Sequence, residues 1–424
     1  MKYRTRVLIF LFFLSIITYL DRVCISVAGP RMQEDLGLTP EQWGWVVGVF
    51  TLSYALFEIP TGAMGDRVGP RRVLTRIVIW WSAFTTLTGM VSNYWALLAT
   101  RFAFGAGEAG AYPNSSSAIS RWFPPAERAR AHSVVWMASR VGGALSPLLV
   151  VEIQRRYGWR ASFYVFGILG ILWAIFWFLW YRDHPSEKKG VTPQELAEIG
   201  APATPEAHRG LPWGIALRKR NFWLIMAMYH TYCWGAYFYL SWLHTYLQKG
   251  RGFTEQEMKI YSTLPFVAGV LGNLTGGALS DYLVKRKGLR FGRVAVGATG
   301  LALSGIFLTA TALTGSKLLA VLFLTLGYGS MDCMLPVSWA LCLDIGRKYA
   351  GAVTGAMNMA GQIGSFISSV AFGKWVTMMG NYNQPLLPLA AMLFISAALY
   401  TRINPGEQLI PEPTTAPTPE PVQV

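Results

Sequence analysis

The feature that most constrains this chain is a series of long apolar runs, each close to the length that crosses a bilayer. A helix rising 1.5 Å per residue needs about 20 mostly apolar residues to span a hydrocarbon core. Twelve such stretches can be read: 6–28, 43–63, 73–91, 94–118, 130–152 and 160–181, then 221–247, 258–280, 293–313, 317–341, 350–374 and 384–402. Composition agrees, with 53% hydrophobic and only 14% charged residues, against about 25% charged in a soluble chain. A soluble protein of 424 residues could not cover its exterior with so few charges. The expected fold class is therefore all-α and integral to the lipid bilayer, with twelve transmembrane helices in two pseudo-symmetric six-helix bundles.

The expected domains follow from where polarity interrupts the runs. They are an N-terminal bundle over 1–181, a cytoplasmic linker over 182–220, a C-terminal bundle over 221–402, and a tail over 403–424. The linker is rich in Pro, Glu, Lys and Arg, and a short surface helix is expected at 192–199 with Pro193 in its first turn. The tail carries Pro405, Pro411, Pro413, Pro417, Pro419 and Pro421, which forbids a helix and predicts a disordered cytoplasmic segment. Lys2, Arg4 and Arg6 before an apolar stretch, with Ser26-Val27-Ala28 downstream, resemble a secretion signal. Asp21-Arg22 breaks that stretch and many spans follow, so an uncleaved first helix is expected.

The formal net charge of +15 invites a nucleic-acid partner, but the basic residues sit in short clusters between apolar runs and form no contiguous face. No nucleic-acid partner is expected. Membrane orientation is the simpler cause. With the N-terminus cytoplasmic, the inner segments hold 25 Lys and Arg residues and the outer ones nine, while Arg22, Arg101 and Arg140 lie within spans. That bias puts both termini in the cytoplasm. Cys24, Cys233, Cys333 and Cys342 show no metal-ligand spacing and read as packing residues. No metal and no cofactor are expected.

An internal repeat supports the two-bundle reading. Gly62-Ala63-Met64-Gly65-Asp66-Arg67 follows the second span, and Gly277-Ala278-Leu279-Ser280-Asp281-Tyr282 follows the eighth. Basic residues come after each, Arg71 and Arg72 in one case and Lys285, Arg286 and Lys287 in the other. Gly62 would admit a close neighbour, Asp66 could accept from a helix N-terminus, and Arg67 and Arg71 could bridge to carboxylates across an inner gate. The bland alternative is a charged turn. Two related six-helix halves are what rocking-bundle transporters require, with substrate held between them.

Gly62-x-x-x-Asp66-Arg67-x-Gly69-x-Arg71-Arg72 resembles the signature loop of the major facilitator superfamily, and the resemblance covers about residues 5–402. A narrower resemblance is to the anion:cation symporter family, which includes bacterial galactonate, hexuronate and glucarate transporters and the animal sialin. It rests on Tyr19-Leu20-Asp21-Arg22, on Tyr54 with Glu58-Ile59-Pro60, and on Arg101-Phe102-x-x-Gly105-x-Gly107-Glu108-Ala109-x-x-x-Pro113. It implies that Asp21 and Glu108 couple protons, that Arg22 holds the substrate carboxylate, that Arg101 partners the acids, and that Tyr19 and Tyr54 bond a sugar acid's hydroxyls.

The residues themselves point the same way. Ionisable groups at membrane depth cost several kcal/mol and are functional hypotheses by default. Arg101, Gly105, Glu108 and Tyr112 fall on one face of a continuous fourth helix, where Gly105 leaves room for a ligand or a partner helix. Tyr19 and Arg22 share a face of the first span, with Asp21 about 100° from Arg22. Two acids and two arginines can thus meet in one cavity. An arginine binds a carboxylate with a planar fork, and a buried acid that takes up a proton releases it. Proton and anion binding would then favour each other. A structural ion-pair network is the competing reading.

Arg140 departs from the family pattern; it could hold a second carboxylate or simply balance Asp332. In the second half, Asn358 and Gln362 share a face of the eleventh span. Tyr229, His230 and Tyr232 crowd the seventh, and Ser338 and Trp339 lie near Pro336. These could bind hydroxyls or serve as packing, and His230 could carry a proton. No H-E-x-x-H, G-x-S-x-G or paired-histidine pattern supports an enzyme. The expected activity is proton-coupled symport of a small organic anion of the sugar-acid type, by a monomer in a cell membrane. A bacterial inner membrane fits the absence of a long glycosylated outer loop. A proton-independent uniporter or an anion exchanger of the same fold stays open.

Overall fold

The computed structural model describes residues 2–199 and 211–410, apart from the side chains of Ile59, Ala63, Gly65, Asp66, Pro125, Ala126, Ala129 and Lys348. Twelve spans follow one another as α1 Tyr3–Asp35, α2 Pro40–Val68, α3 Pro70–Thr88, α4 in two segments (Tyr94–Glu108 and Ala111–Trp122), α5 Pro125–Tyr157 and α6 Trp159–Trp180. The second set is α7 Arg220–Ser241, α8 Thr263–Lys287, α9 Leu289–Leu313, α10 in two segments (Lys317–Asp332 and Met334–Gly346), α11 Ala350–Met379 and α12 Leu386–Thr401. On length and composition alone, five stretches among the described residues qualify as spans. The others are shortened by breaks or carry charged and small residues that the bundle interior accommodates.

Both breaks have the same cause. Pro113 lacks an amide proton and its ring crowds the carbonyl four residues back, which is Ala109; Pro336 does the same to Asp332. The fourth span is therefore not the continuous helix expected. Glu108 ends its first segment and Tyr112 belongs to the second. Asn114 stitches the break by donating to the Gly110 carbonyl at 2.7 Å and to the Thr61 carbonyl of α2 at 3.2 Å.

Helices α1 and α5, α3 and α6, and α2 and α4 pack within the first half; α7 with α11, α9 with α12, and α8 with α10 do so in the second. Across the halves, α2 meets α11, α5 meets α8 and α1 meets α7. The apolar core divides unevenly. Residues at the end remote from the chain termini, such as Val23, Val27, Trp43 and Val150, share one buried cluster with the second half. Val7, Leu11, Val73, Trp122 and Trp177, nearer the termini, form a separate cluster of the first half alone. The halves thus share an apolar core at the distal end, whereas nearer the termini the first half keeps an apolar cluster of its own.

Polar ties reinforce the distal seal. Arg31 of α1 grips Glu255, in the short helix before α8, with two contacts at 2.8 and 2.6 Å, and also donates to the Gln154 carbonyl of α5 at 2.7 Å. Gln33 donates to Thr245 at 3.2 Å, and Ser26 bonds His244 at 2.9 Å. At Gly373 a β-carbon would lie 2.3 Å from the Pro40 carbonyl oxygen, so α11 and α2 touch there backbone to backbone.

The linker helix forms at Pro193–Ile199 as expected. Its Glu195 accepts from the amides of Tyr3 and Arg4 at 3.1 and 2.9 Å, placing an acid at the positive end of α1. The tail beyond residue 410 lies outside the described residues, as does 200–210 of the linker.

Candidate functional site

The fold gathers the intramembrane charges where the halves face each other. The Arg22 guanidinium stands over the rings of Tyr54 at 4.7 Å, Phe50 at 5.4 Å, Tyr19 at 5.6 Å and Tyr112 at 6.0 Å. Such a cage offers quadrupole attraction to a cation that has left water. Its Nε donates to Glu108 Oε1, while Arg22 Nη2 and Glu108 Oε2 are buried without a protein hydrogen-bond partner. The pair therefore uses one point of a possible two.

Arg101 lies about two turns from Glu108 on α4, stacked over Phe104 at 4.6 Å and Phe50 at 5.1 Å. Asp21 is buried in the electrostatic neighbourhood of Arg101 and Glu108. It faces the Trp81 indole, and neither carboxylate oxygen closes a hydrogen bond of ordinary geometry. The four expected residues thus converge, but Arg22–Glu108 is their only contact at ion-pair distance among the described residues. Gly105 does not make room for a ligand. A β-carbon there would sit 2.1 Å from Ser53 Oγ and 2.4 Å from the Phe50 carbonyl oxygen, so α2 already fills the space.

Tyr112 donates to or accepts from Ser15 at 3.1 Å and stacks flat on Trp136 of α5 at 4.6 Å. Trp136 in turn meets Trp339 of α10 at 5.4 Å, which carries the contact into the second half. Arg140 crosses the same boundary: Nη2 contacts Asp332 Oδ1 at 3.2 Å and Nη1 donates to the Tyr328 hydroxyl at 3.1 Å. The balancing partner weighed from the sequence is therefore present.

In the second half the roles divide differently from expectation. Asn358 donates to both carboxylate oxygens of Glu58, at 2.7 and 2.8 Å, and so ties α11 to α2. Gln362 accepts from the Tyr237 hydroxyl at 3.2 Å. Tyr229 packs on Tyr232 at 5.1 Å and against Gly361. His230 is committed to packing: Nδ1 meets the Ala360 carbonyl at 3.0 Å and Nε2 accepts from Trp234 at 3.4 Å. Both nitrogens thus have protein partners in this arrangement. Ser338 turns away, to Met334 and to Tyr400 of α12. Glu58 is thus a further charge at membrane depth, and its signal in the sequence is an acid inside the apolar run 43–63.

The repeated loops tie each half to itself. Gly62 abuts Pro113, as close packing required. Arg71 does not reach across a gate; its amide donates to Asp183 and its Nε to the Phe178 carbonyl, each at 2.9 Å, over the Phe178 ring. Gly69 has φ +94°, and a β-carbon there would collide with the Asp183 carboxylate at 2.5 Å. Arg67 is exposed, Arg72 lies at the start of α3, and the Asp66 side chain lies outside the described residues. In the second loop Asp281 pairs with Arg293 at 2.9 Å, which also holds Asp344 at 3.0 Å, joining α8, α9 and α10.

Comparison with known proteins agrees with this geometry. Residues 11–369 match the Major Facilitator Superfamily. A Cupriavidus necator protein described as "Probable sulfoacetate transporter SauU" is 37% identical over 92% of this chain and 91% of its own. The hexuronate transporter of Bacillus subtilis is 29% identical over 94% of both. A bacterial homologue of the human lysosomal transporter Spinster, solved inward-facing and occupied, superposes with a TM-score of 0.77 at 21% identity, covering 95% of this chain and 97% of the other. That last likeness speaks for the fold. The chain is a multi-pass membrane transporter rather than an enzyme, and it belongs to the major facilitator superfamily.

Proposed function

We propose that the protein is a proton-coupled symporter of a small organic anion, working by alternating access between bundles 1–181 and 221–402. The observation that carries this reading is the half-made Arg22–Glu108 contact inside an aromatic cage. A carboxylate or sulfonate oxygen on the substrate is chemically equivalent to the Glu108 oxygen it would replace. Protonation of Glu108 weakens its claim on Arg22, and an anion then takes the guanidinium. Asp21, beside Arg101, is the second site for a proton. Tyr19, Tyr54, Tyr229 and Gln362 meet the hydroxyl or carbonyl groups of the cargo.

The relatives described as carrying sulfoacetate and hexuronate support an organic anion, and a sugar acid or a short sulfonated carboxylate is the cargo proposed. The bias of basic residues supports cytoplasmic termini, which makes the sealed distal end the outer face of a bacterial inner membrane. The linker and tail are then cytoplasmic, and the unit that works is a monomer.

The test is uptake into liposomes. Sugar acids and sulfoacetate are offered with and without an inward proton gradient. Accumulation driven by the gradient is expected. Uptake that ignores the gradient for every anion would replace symport with a uniporter or an exchanger.

A further inference from the structure

The two halves carry matching devices at the proline-driven breaks. In the first half, Glu108 closes the first segment of α4 and holds Arg22. In the second, Asp332 closes the first segment of α10 and holds Arg140. A Gly-x-Gly precedes each acid at a different spacing, Gly105-x-Gly107-Glu108 in one and Gly327-x-Gly329-x-x-Asp332 in the other. The function proposed above uses the first device only. A buried arginine–carboxylate pair seldom repays its desolvation, so the second pair at membrane depth calls for a task beyond packing.

Its geometry is open to exchange. Arg140 touches Asp332 at one point, 3.2 Å away, rather than through both arms of the fork. Asp332 Oδ2 is buried and accepts no protein hydrogen bond. Tyr19 lies near both arginines. The Arg22 guanidinium lies 5.6 Å from its ring centre. The helix that carries Arg140 packs on the same tyrosine, a β-carbon at Gly142 falling 3.1 Å from Tyr19 Cβ and one at Gly143 3.7 Å from its Cδ1. Two buried cations near one tyrosine offer two anchors for the ends of one small molecule.

We propose that Arg140 is a second anion-holding residue and that the preferred substrate is an organic anion with two negatively charged ends, one held by Arg22 and the other by Arg140 in place of Asp332. This rests on the anion-transport reading of the central site. Arg140 belongs to the first half and Asp332 to the second, so the incoming second head also removes a tie between the halves. A one-headed anion leaves that tie in place.

The test uses the full chain, purified and reconstituted, with two matched pairs of anions. Galactarate and sulfoacetate carry two charged ends; galactonate and ethanesulfonate carry one. Affinity is read from ligand-induced melting shifts and from competition for uptake. The wild type is expected to favour each two-headed anion over its partner by tenfold or more. Arg140→Met combined with Asp332→Asn removes both charges, leaves no orphan, and lowers that ratio at least tenfold. Asp332→Asn alone raises two-headed binding severalfold. Arg140→Lys keeps the charge without the fork and gives an intermediate ratio, which serves should the double variant misfold. An equal loss for one- and two-headed ligands in a folded variant assigns the pair to helix packing and overturns the proposal. So does a wild type that takes galactonate or ethanesulfonate as well as their partners, and in that case the anion reading still stands. A wild type that binds and carries none of the four sinks both readings.

Discussion

Glu108→Gln isolates the exchange at the centre of the proposed cycle. Glutamine has the shape of the protonated acid and cannot ionise. In the wild type the substrate must displace the Glu108 oxygen from Arg22, a contact made at one point by two buried groups. A hydrogen bond between charged groups contributes about 2 kcal/mol net, which is near thirtyfold in affinity. Removing the competitor also leaves Arg22 as an uncompensated buried cation, which raises the reward for bringing in an anion. The variant should therefore bind the transported anion about thirtyfold more tightly at neutral pH. The sign with pH follows: wild-type binding tightens as pH falls, because protonation disarms Glu108, and the variant should show that trend weakly. Gradient-driven accumulation should vanish, while exchange of labelled for unlabelled anion persists because it needs no net proton movement. The assays are ligand-induced melting shifts across pH, and uptake and counterflow in liposomes. Unchanged accumulation in Glu108→Gln, or wild-type binding indifferent to pH, would mean that Glu108 does not compete with the substrate for Arg22.

Three further outcomes follow from particular contacts. Gly105→Ala puts a β-carbon 2.1 Å from Ser53 Oγ, and overpacking of this kind costs about 1–3 kcal/mol; the melting temperature without ligand should fall, and no change would contradict the close approach of α2 and α4. Arg31→Ala removes the grip on Glu255, worth about 1 kcal/mol or fivefold in population. Labelling of Thr245→Cys by an impermeant maleimide should rise, and equal labelling would mean that the latch does not hold the distal end shut. Asn358→Asp sets a second carboxylate against Glu58; transport should fall at least tenfold at neutral pH and recover as pH drops and one acid takes a proton. Loss that low pH does not relieve would point to misfolding instead.

The twelve spans were legible because bilayer thickness fixes helix length, and lipid admits little but apolar side chains. The charged candidates were legible for the converse reason: Asp21, Arg22, Arg101 and Glu108 stand out where charge is expensive. Periodicity put Arg101 and Glu108 on one face, and both are buried toward the same cluster. Tyr112 falls beyond the break, in the second segment, yet its ring centre still lies 6.0 Å from the Arg22 guanidinium that Glu108 holds.

Partners were decided by the tertiary structure alone. Tyr229, His230, Asn358 and Gln362 look alike in sequence, as polar residues inside apolar runs. Packing gives His230 to a carbonyl and an indole, Asn358 to Glu58, and Gln362 to Tyr237. These contacts join positions 300 apart in the chain for Asn358 and Glu58, and no local pattern encodes such a pairing. Arg140 shows the division best. Its presence inside a span marks it from sequence, and Asp332 can be named as a candidate. Only the crossing of α5 and α10 makes them a single-point contact between halves, because the distance and angle between two side chains are set by helix packing and not by spacing along the chain.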